Sequence, residues 1–247
     1  EATTILDGLG TTKSRANMCR LAKVKRIIKN SKIKITCSPN VQVNAVSDPN
    51  DMYYRSQYGL SLISAANAWD ISSGSTDLIA LTIDTGVDYN HPDLQKNLWK
   101  NPLEIPGNSI DDDGNGYIDD VYGINAITNT GNPADDNGHG THVASTAAGT
   151  KYGVAKNANL VPVRVLNCYG SGTYSQVISG LDWILSPQNP NPKTQAVLNL
   201  SLGGPASSVL NAAIARLTNA GITVVVAAGN DGGDACAKSP SSAPSAI

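Results

Sequence analysis

The chain has 247 residues, 40% hydrophobic and only 15% charged, with a net charge of -2, which suits one large domain, or one domain with a small appendage, built on a real core. No apolar run is long enough to span a bilayer, and Glu1-Ala2-Thr3-Thr4 has neither the basic start nor the apolar stretch of a secretion signal, so any such signal is expected to have been removed or not supplied. The charge is split: residues 1–46 carry nine Lys and Arg against two Asp and Glu (+7), and residues 47–247 carry nine against eighteen (-9). That asymmetry marks a boundary, and because the basic part looks folded and faces an acidic remainder in the same chain, a nucleic-acid tail is set aside.

Taken in chain order, LAKVKRIIK at 21–29 places Leu21, Val24 and Ile28 on one helical face. IKITC at 33–37 alternates as a half-buried strand does, and SDPND at 47–51 reads as a linker. The rhythm then changes. Strands are expected at 78–83 (LIALTI), 160–166 (LVPVRVL), 196–200 (AVLNL) and 222–228 (ITVVVAA), with helices near 174–185 and 207–219. Apolar strands alternating with helices predict a parallel sheet covered on both faces, an α/β fold. The sequence is divided as 1–47, a small appended segment, and 48–247, the main domain.

In such sheets, sites form at the carboxyl ends of strands. Three predicted strands end unusually: in Asp84-Thr85-Gly86, in Ser201-Leu202-Gly203-Gly204 and in Gly229-Asn230. A fourth feature is NGHGTHVASTAAG at 137–149, where His139 stands at the mouth of a small-residue helix. An Asp at a strand end and a His at a helix start are two of the three members of a nucleophilic triad, in which the carboxylate orients the imidazole and the imidazole takes a hydroxyl proton.

A second motif is DDDGNGYIDD at 111–120. Asp111, Asp113 and Asn115 alternate, Gly116 follows, Tyr117 offers a backbone carbonyl, and Asp119 and Asp120 come next. This is the first part of an EF-hand-type loop, with Tyr122 where the twelfth-position Glu belongs. The spacing favours structural calcium over an acidic turn without metal. The cysteines, Cys19, Cys37, Cys168 and Cys236, show no CxxC spacing; an even count fits two disulfides or four thiols.

IDTGVD at 83–88, HGTHVA at 139–144, SLGG at 201–204 and AAGN at 227–230 resemble, in spacing and order, the subtilisin-like serine proteases or subtilases. From Val161 onward the chain is most similar to their proteinase K and aqualysin branch. The resemblance runs from about Tyr53 to Ile247 and implies a three-layer α/β/α fold and a secreted, calcium-supported endopeptidase acting on polypeptides. By resemblance, Asp84 supports the histidine, His139 is general base and then acid, and Asn230 donates to the oxyanion. Ser201, Leu202 and Gly203 would line the pocket before the scissile bond. Gly170, Ser171 and Gly172 would offer an edge to which a peptide adds as a strand. His142 is read as a packing or supporting residue and His91 as a turn residue.

Residues 18–46 resemble the last helix and strand of a subtilase propeptide, an intramolecular chaperone and inhibitor, and the opposite charges of the two parts would aid its docking. Cys19 and Cys37 would pair within it or stay free. The sequon Asn199-Leu200-Ser201 lies on a buried strand and is discounted. Two departures from the family pattern stand out. The GTSMA-type serine motif does not occur in these 247 residues, and Ser239, Ser241, Ser242 and Ser245 lie in a turn-rich stretch. Relatives that bridge the cysteine at 168 carry its partner where this chain has Asp136. The printed chain is therefore expected not to hydrolyse peptides by itself. It would be a piece of a protease precursor, one chain of a split enzyme, or a peptide-binding relative.

Overall fold

Continuous apolar runs need cover on both faces, and the sheet of the computed structural model provides it. The structure describes residues 51–189 and 195–247. The chain divides into two units, Glu1–Val46 and Ser47–Ile247. The expected helix at 21–29, the strand at 33–37, Cys19, Cys37 and the propeptide-like segment lie outside the described residues.

After two short helices, α1 (Tyr58–Leu62) and α2 (Ala65–Trp69), the second unit forms β1 (Ile79–Asp84), β2 (Ile124–Asn125), α3 (His139–Ala148), β3 (Asn159–Arg164), α4 (Tyr174–Leu185), β4 (Ala196–Leu200), β5 (Gly204–Pro205), α5 (Ser208–Asn219), β6 (Thr223–Val226) and β7 (Lys238–Ser239). Five strands make one sheet in the order β2-β3-β1-β4-β6, every pair parallel, while β5 and β7 pair separately and antiparallel. β1 is central. Its neighbours β3 and β4 lie on opposite sides, so the crossovers diverge from it and leave a crevice beyond its carboxyl end.

Alternate residues of β1 and β3 feed two cores. Leu81, Ile83, Val161 and Val163 pack with Val177, Leu181 and Ile184 of α4 and Leu210, Ile214 and Leu217 of α5. On the opposite face Leu160 packs with Ala144 and Ala148 of α3 and with Val87, Leu94 and Leu98. The result is a three-layer α/β/α arrangement. Leaving water contributes about 1.5–3 kcal/mol for each fully buried Leu, Ile or Val.

The expected helix at 174–185 and strand at 196–200 match α4 and β4 in extent. Thr173 and Gln176 form the capping box that starts α4, and Ser207, expected inside α5, is its N-cap. The strand expected at 222–228 is shorter, because the chain turns at Gly229, with φ +102°, towards the loop carrying Asn230. β2 was not anticipated; two residues are held in the sheet by β3 alone.

Candidate active site

Asp84 is the last residue of β1 and is fully buried, with its Oδ1 accepting the Thr85 amide at 2.7 Å. His139 opens α3, and its Nδ1 lies 2.7 Å from the same Oδ1. The imidazole is about half exposed, 49% against 0% for Asp84. Its Nε2 has no hydrogen-bonding partner among the described residues. The ring is thus anchored on its buried side and open on the other, the geometry in which a carboxylate orients a general base.

Two glycines make the approach possible. Gly86 adopts φ +109°, and a Cβ there would lie 2.4 Å from the Pro133 carbonyl oxygen. A Cβ on Gly140 would lie 2.1 Å from the Gly86 carbonyl oxygen and 3.1 Å from the Asp84 Cβ. Gly-to-Ala in a helix normally stabilises by up to about 1 kcal/mol. At position 140 the sign reverses: G140A is expected to cost about 1–3 kcal/mol through overpacking against backbone, measured by denaturant unfolding at unchanged slope.

The start of α3 lacks an ordinary cap, since Gly138 at the N-cap has no side chain. Neighbouring side chains satisfy its first amides instead. His139 N donates to Asn137 Oδ1 (3.1 Å), Gly140 N to Thr85 Oγ1 (2.9 Å) and Thr141 N to Asp135 Oδ2 (2.9 Å). Asp135 also accepts from Thr85 Oγ1 (2.8 Å), Asn137 N (2.9 Å), Gly138 N (3.0 Å) and Thr141 Oγ1 (2.6 Å). Burial favours its neutral form, but the bonds from the Thr141 hydroxyl and from the Gly138, Asn137 and Thr141 amides outweigh it and hold the carboxyl at about 2. Sequence reading missed this residue; an Asp four positions before a His at a glycine-capped helix start was the available signal.

A cavity of about 500 Å³ opens in front of His139. Gly170, Ser171, Gly172, Ser201, Leu202 and Gly203 all line it, with Thr85, Asn137 and Tyr174. Gly172 is required because a Cβ would fall 2.3 Å from the Val165 carbonyl oxygen. Asn230 does not line the cavity; it lies exposed in the bend after β6. His142 is exposed; His91 accepts from Asp93 N at 3.3 Å through its own Nδ1, as a turn residue does. Asp136 takes both its oxygens to Arg164 Nη2 at 2.7 and 2.8 Å. Cys168 and Cys236 are exposed and free.

The acidic loop forms a separate centre. Ligand atoms of Glu104, Asp111 and Asp113 lie within 4.8 Å of one another. Glu104 was not anticipated. It is buried, its Oε1 accepts Asp112 N (2.9 Å) and Asp113 N (3.2 Å), and its Oε2 is buried without a partner. Burial first, and then the Asp113 and Asp112 charges, raise its pKa against the two amide bonds. The other predicted ligands have different work. Asp119 accepts amides of Gly107, Asn108 and Ser109. Asn115 donates to Asp113 and Asp120, and its Oδ1 accepts the Tyr117 amide. Asp120 is buried and accepts from Asn101, Asn115 and Trp183 Nε1. Burial, with the Asp113 and Glu104 charges, pushes it up to about 7 despite the bonds from Asn115 and Asn101.

A carboxylate–imidazole pair at the carboxyl edge of a doubly wound parallel sheet, facing a glycine-walled cleft, is an architecture of α/β hydrolytic enzymes. The model of the Subtilase family matches residues 74–247, and the chain belongs to that family. It is 56% identical over 125 residues to an extracellular serine proteinase of Thermus sp. (strain Rt41A), covering 51% of this chain and 30% of that protein. It is 34% identical over 230 residues to subtilisin-like protease 7 of Arthroderma otae, covering 90% of this chain and 50% of that one. A solved cold-adapted subtilisin-like serine proteinase matches with a TM-score of 0.55 and 38% identity, over 70% of this chain and 55% of that one. The chain thus spans half or less of the length of these two curated relatives.

Proposed function

We propose that the chain supplies the acid and base of a serine endopeptidase of subtilisin type acting on polypeptides outside the cell. The observation that carries this reading is the 2.7 Å contact between Asp84 and Nδ1 of His139, a residue that also lines the cleft. Asp84 holds the imidazole in the Nδ1–H tautomer and stabilises the imidazolium; Nε2 takes the nucleophile's proton and returns it to the leaving amine. Gly170-Ser171-Gly172 and Ser201-Leu202-Gly203 flank the substrate backbone and the side chain before the scissile bond. Asn230, exposed in the bend after β6, donates its side-chain amide to the oxyanion.

Ser171 and Ser201 line the same cavity, but neither is bonded to His139 among the described residues, and Ser201 Oγ accepts from Asn199 at 2.9 Å. Our reading instead takes the nucleophile from a GTSMA-type serine outside these 247 residues, later in the polypeptide or on a second chain. The basic segment 1–47 acts as the chain's own inhibitor and chaperone.

The acidic loop fits calcium, since a hard cation favours clustered carboxylate oxygens and Glu104 Oε2 lacks any other partner. Glu104, Asp111 and Asp113 would hold it, and it would pin the long loop between β1 and β2.

The test is direct. A polypeptide extended to include a GTSMA-like serine is expected to hydrolyse casein and to be blocked by phenylmethylsulfonyl fluoride, whereas the 247-residue chain shows no such turnover. Inhibitor-sensitive cleavage by the 247-residue chain overturns the assignment of the nucleophile. Absence of cleavage by the extended polypeptide overturns the protease reading.

A further inference from the structure

We infer that Asp135 is the positioning residue of this site: its carboxylate locks the first turn of α3 to the end of β1, and through that lock holds the His139 ring in register with Asp84. The inference rests on the reading of Asp84 and His139 as the orienting acid and the base, but concerns a residue to which that reading gives no part. Asp135 touches neither the imidazole nor Asp84. It acts through two relays.

The first relay is Thr85. This residue is fully buried, directly follows Asp84 and gives its amide to the Asp84 carboxylate. Its hydroxyl donates to Asp135 Oδ1 and accepts from Gly140 N. A hydroxyl has one proton and rotates to suit its acceptor, so a carboxylate at 135 fixes that proton's direction and turns a lone pair towards Gly140 N. The second relay is the helix itself. Asp135 Oδ2 takes both the amide and the hydroxyl of Thr141, and Oδ1 takes the amides of Asn137 and Gly138 on the approach to His139. The Thr141 hydroxyl in turn accepts Asp88 N at 2.9 Å, joining the loop after β1 to the same turn. One carboxylate thereby fixes residues before, after and opposite His139. A negative charge at a helix start is favourable in its own right, and here it replaces the cap that Gly138 cannot supply.

The base is sensitive to this. The Nδ1–H···Asp84 bond selects a tautomer that a free imidazole disfavours, so the tautomer depends on the register that the helix start gives the ring. A residue that only stabilised the fold would change the unfolding transition and leave the tautomer of the folded molecule alone.

The experiment is long-range 1H–15N correlation spectroscopy of the 247-residue chain, whose three histidines are assigned by H91Q, H139Q and H142Q. Native His139, in its neutral form, is expected as the Nδ1–H tautomer. In D135N, which loses an acceptor for Thr141 but keeps size and shape, the signal is expected to move towards the Nε2–H pattern while His91 does not change. An unchanged His139 tautomer in folded D135N overturns the proposal. If D135N does not fold, T85V supplies the same readout, because it keeps the carboxylate and removes only the relay hydroxyl; an unshifted tautomer there is equally fatal. The measurement needs no nucleophile. If native His139 is already the Nε2–H form, it is the reading of the Asp84–His139 pair that fails instead.

Discussion

D84N, made in a polypeptide that carries the serine, is expected to lower kcat by about 10⁴ with little change in KM. The physical reason lies in the 2.7 Å bond at Nδ1. An amide at 84 keeps the size of the carboxylate and is free to present its NH2 to the ring. Nδ1 then becomes the acceptor, Nε2 carries the proton, and the base cannot accept from the hydroxyl. The buried site also loses the charge that stabilises the imidazolium. H139A removes the base altogether and is expected to be at least as damaging, roughly 10⁶-fold. These magnitudes are those of the equivalent changes in a chymotrypsin-fold protease and in subtilisin. D84N and H139A combined should cost hardly more than H139A alone, because the two act as one unit. Burst-free kinetics of the purified variants check all three; additive losses would mean that Asp84 acts independently of the ring.

The parts of this site that were legible in the sequence are those with local causes. The run Ile79–Ile83 is apolar except for Thr82 and ends in a charge, so a central buried strand delivering Asp84 to a sheet edge was visible from residue type alone. α4 begins where Thr173 and Gln176 complete a capping box. His139 stood out because glycines surround it, and Gly140 proves to be where the helix meets the backbone that follows β1. What was not legible depends on partners distant in sequence. β2 is two residues long and exists because Val163 and Arg164 of β3 supply its ladder. Asp135 looks like any loop acid until Thr85, 50 positions earlier, is brought against it. Residue 122 offered no carboxylate at the twelfth loop position, and in the fold Tyr122 stacks on Tyr89 with centroids 5.5 Å apart. The acid in the cluster is Glu104, upstream of the motif and folded back onto the amides of Asp112 and Asp113. A spacing rule written for one contiguous loop has no place for it.

That displaced glutamate sets the second large effect. Three carboxylates with ligand atoms within 4.8 Å repel one another, and one of them is buried with an unpaired oxygen. A divalent cation would remove both penalties, so calcium is expected to bind the folded chain far better than the unfolded one. At a free concentration a hundred times its dissociation constant, calcium then stabilises by about 2.7 kcal/mol, and a domain of this size gains roughly 5–11 °C in melting temperature. Chelation is expected to reverse that gain. E104Q is expected to lose most of the calcium-dependent increment, because the amide leaves the buried oxygen position without charge. D119N is the informative contrast. Its carboxylate binds the amides of Gly107, Asn108 and Ser109 and not the cluster, so it should lower stability with and without calcium alike and leave the increment in place. Calorimetric melts of the three proteins with calcium and with chelator separate these outcomes. An increment that survives E104Q but vanishes in D119N would move the cation to the contiguous EF-hand-type arrangement that the sequence alone suggests.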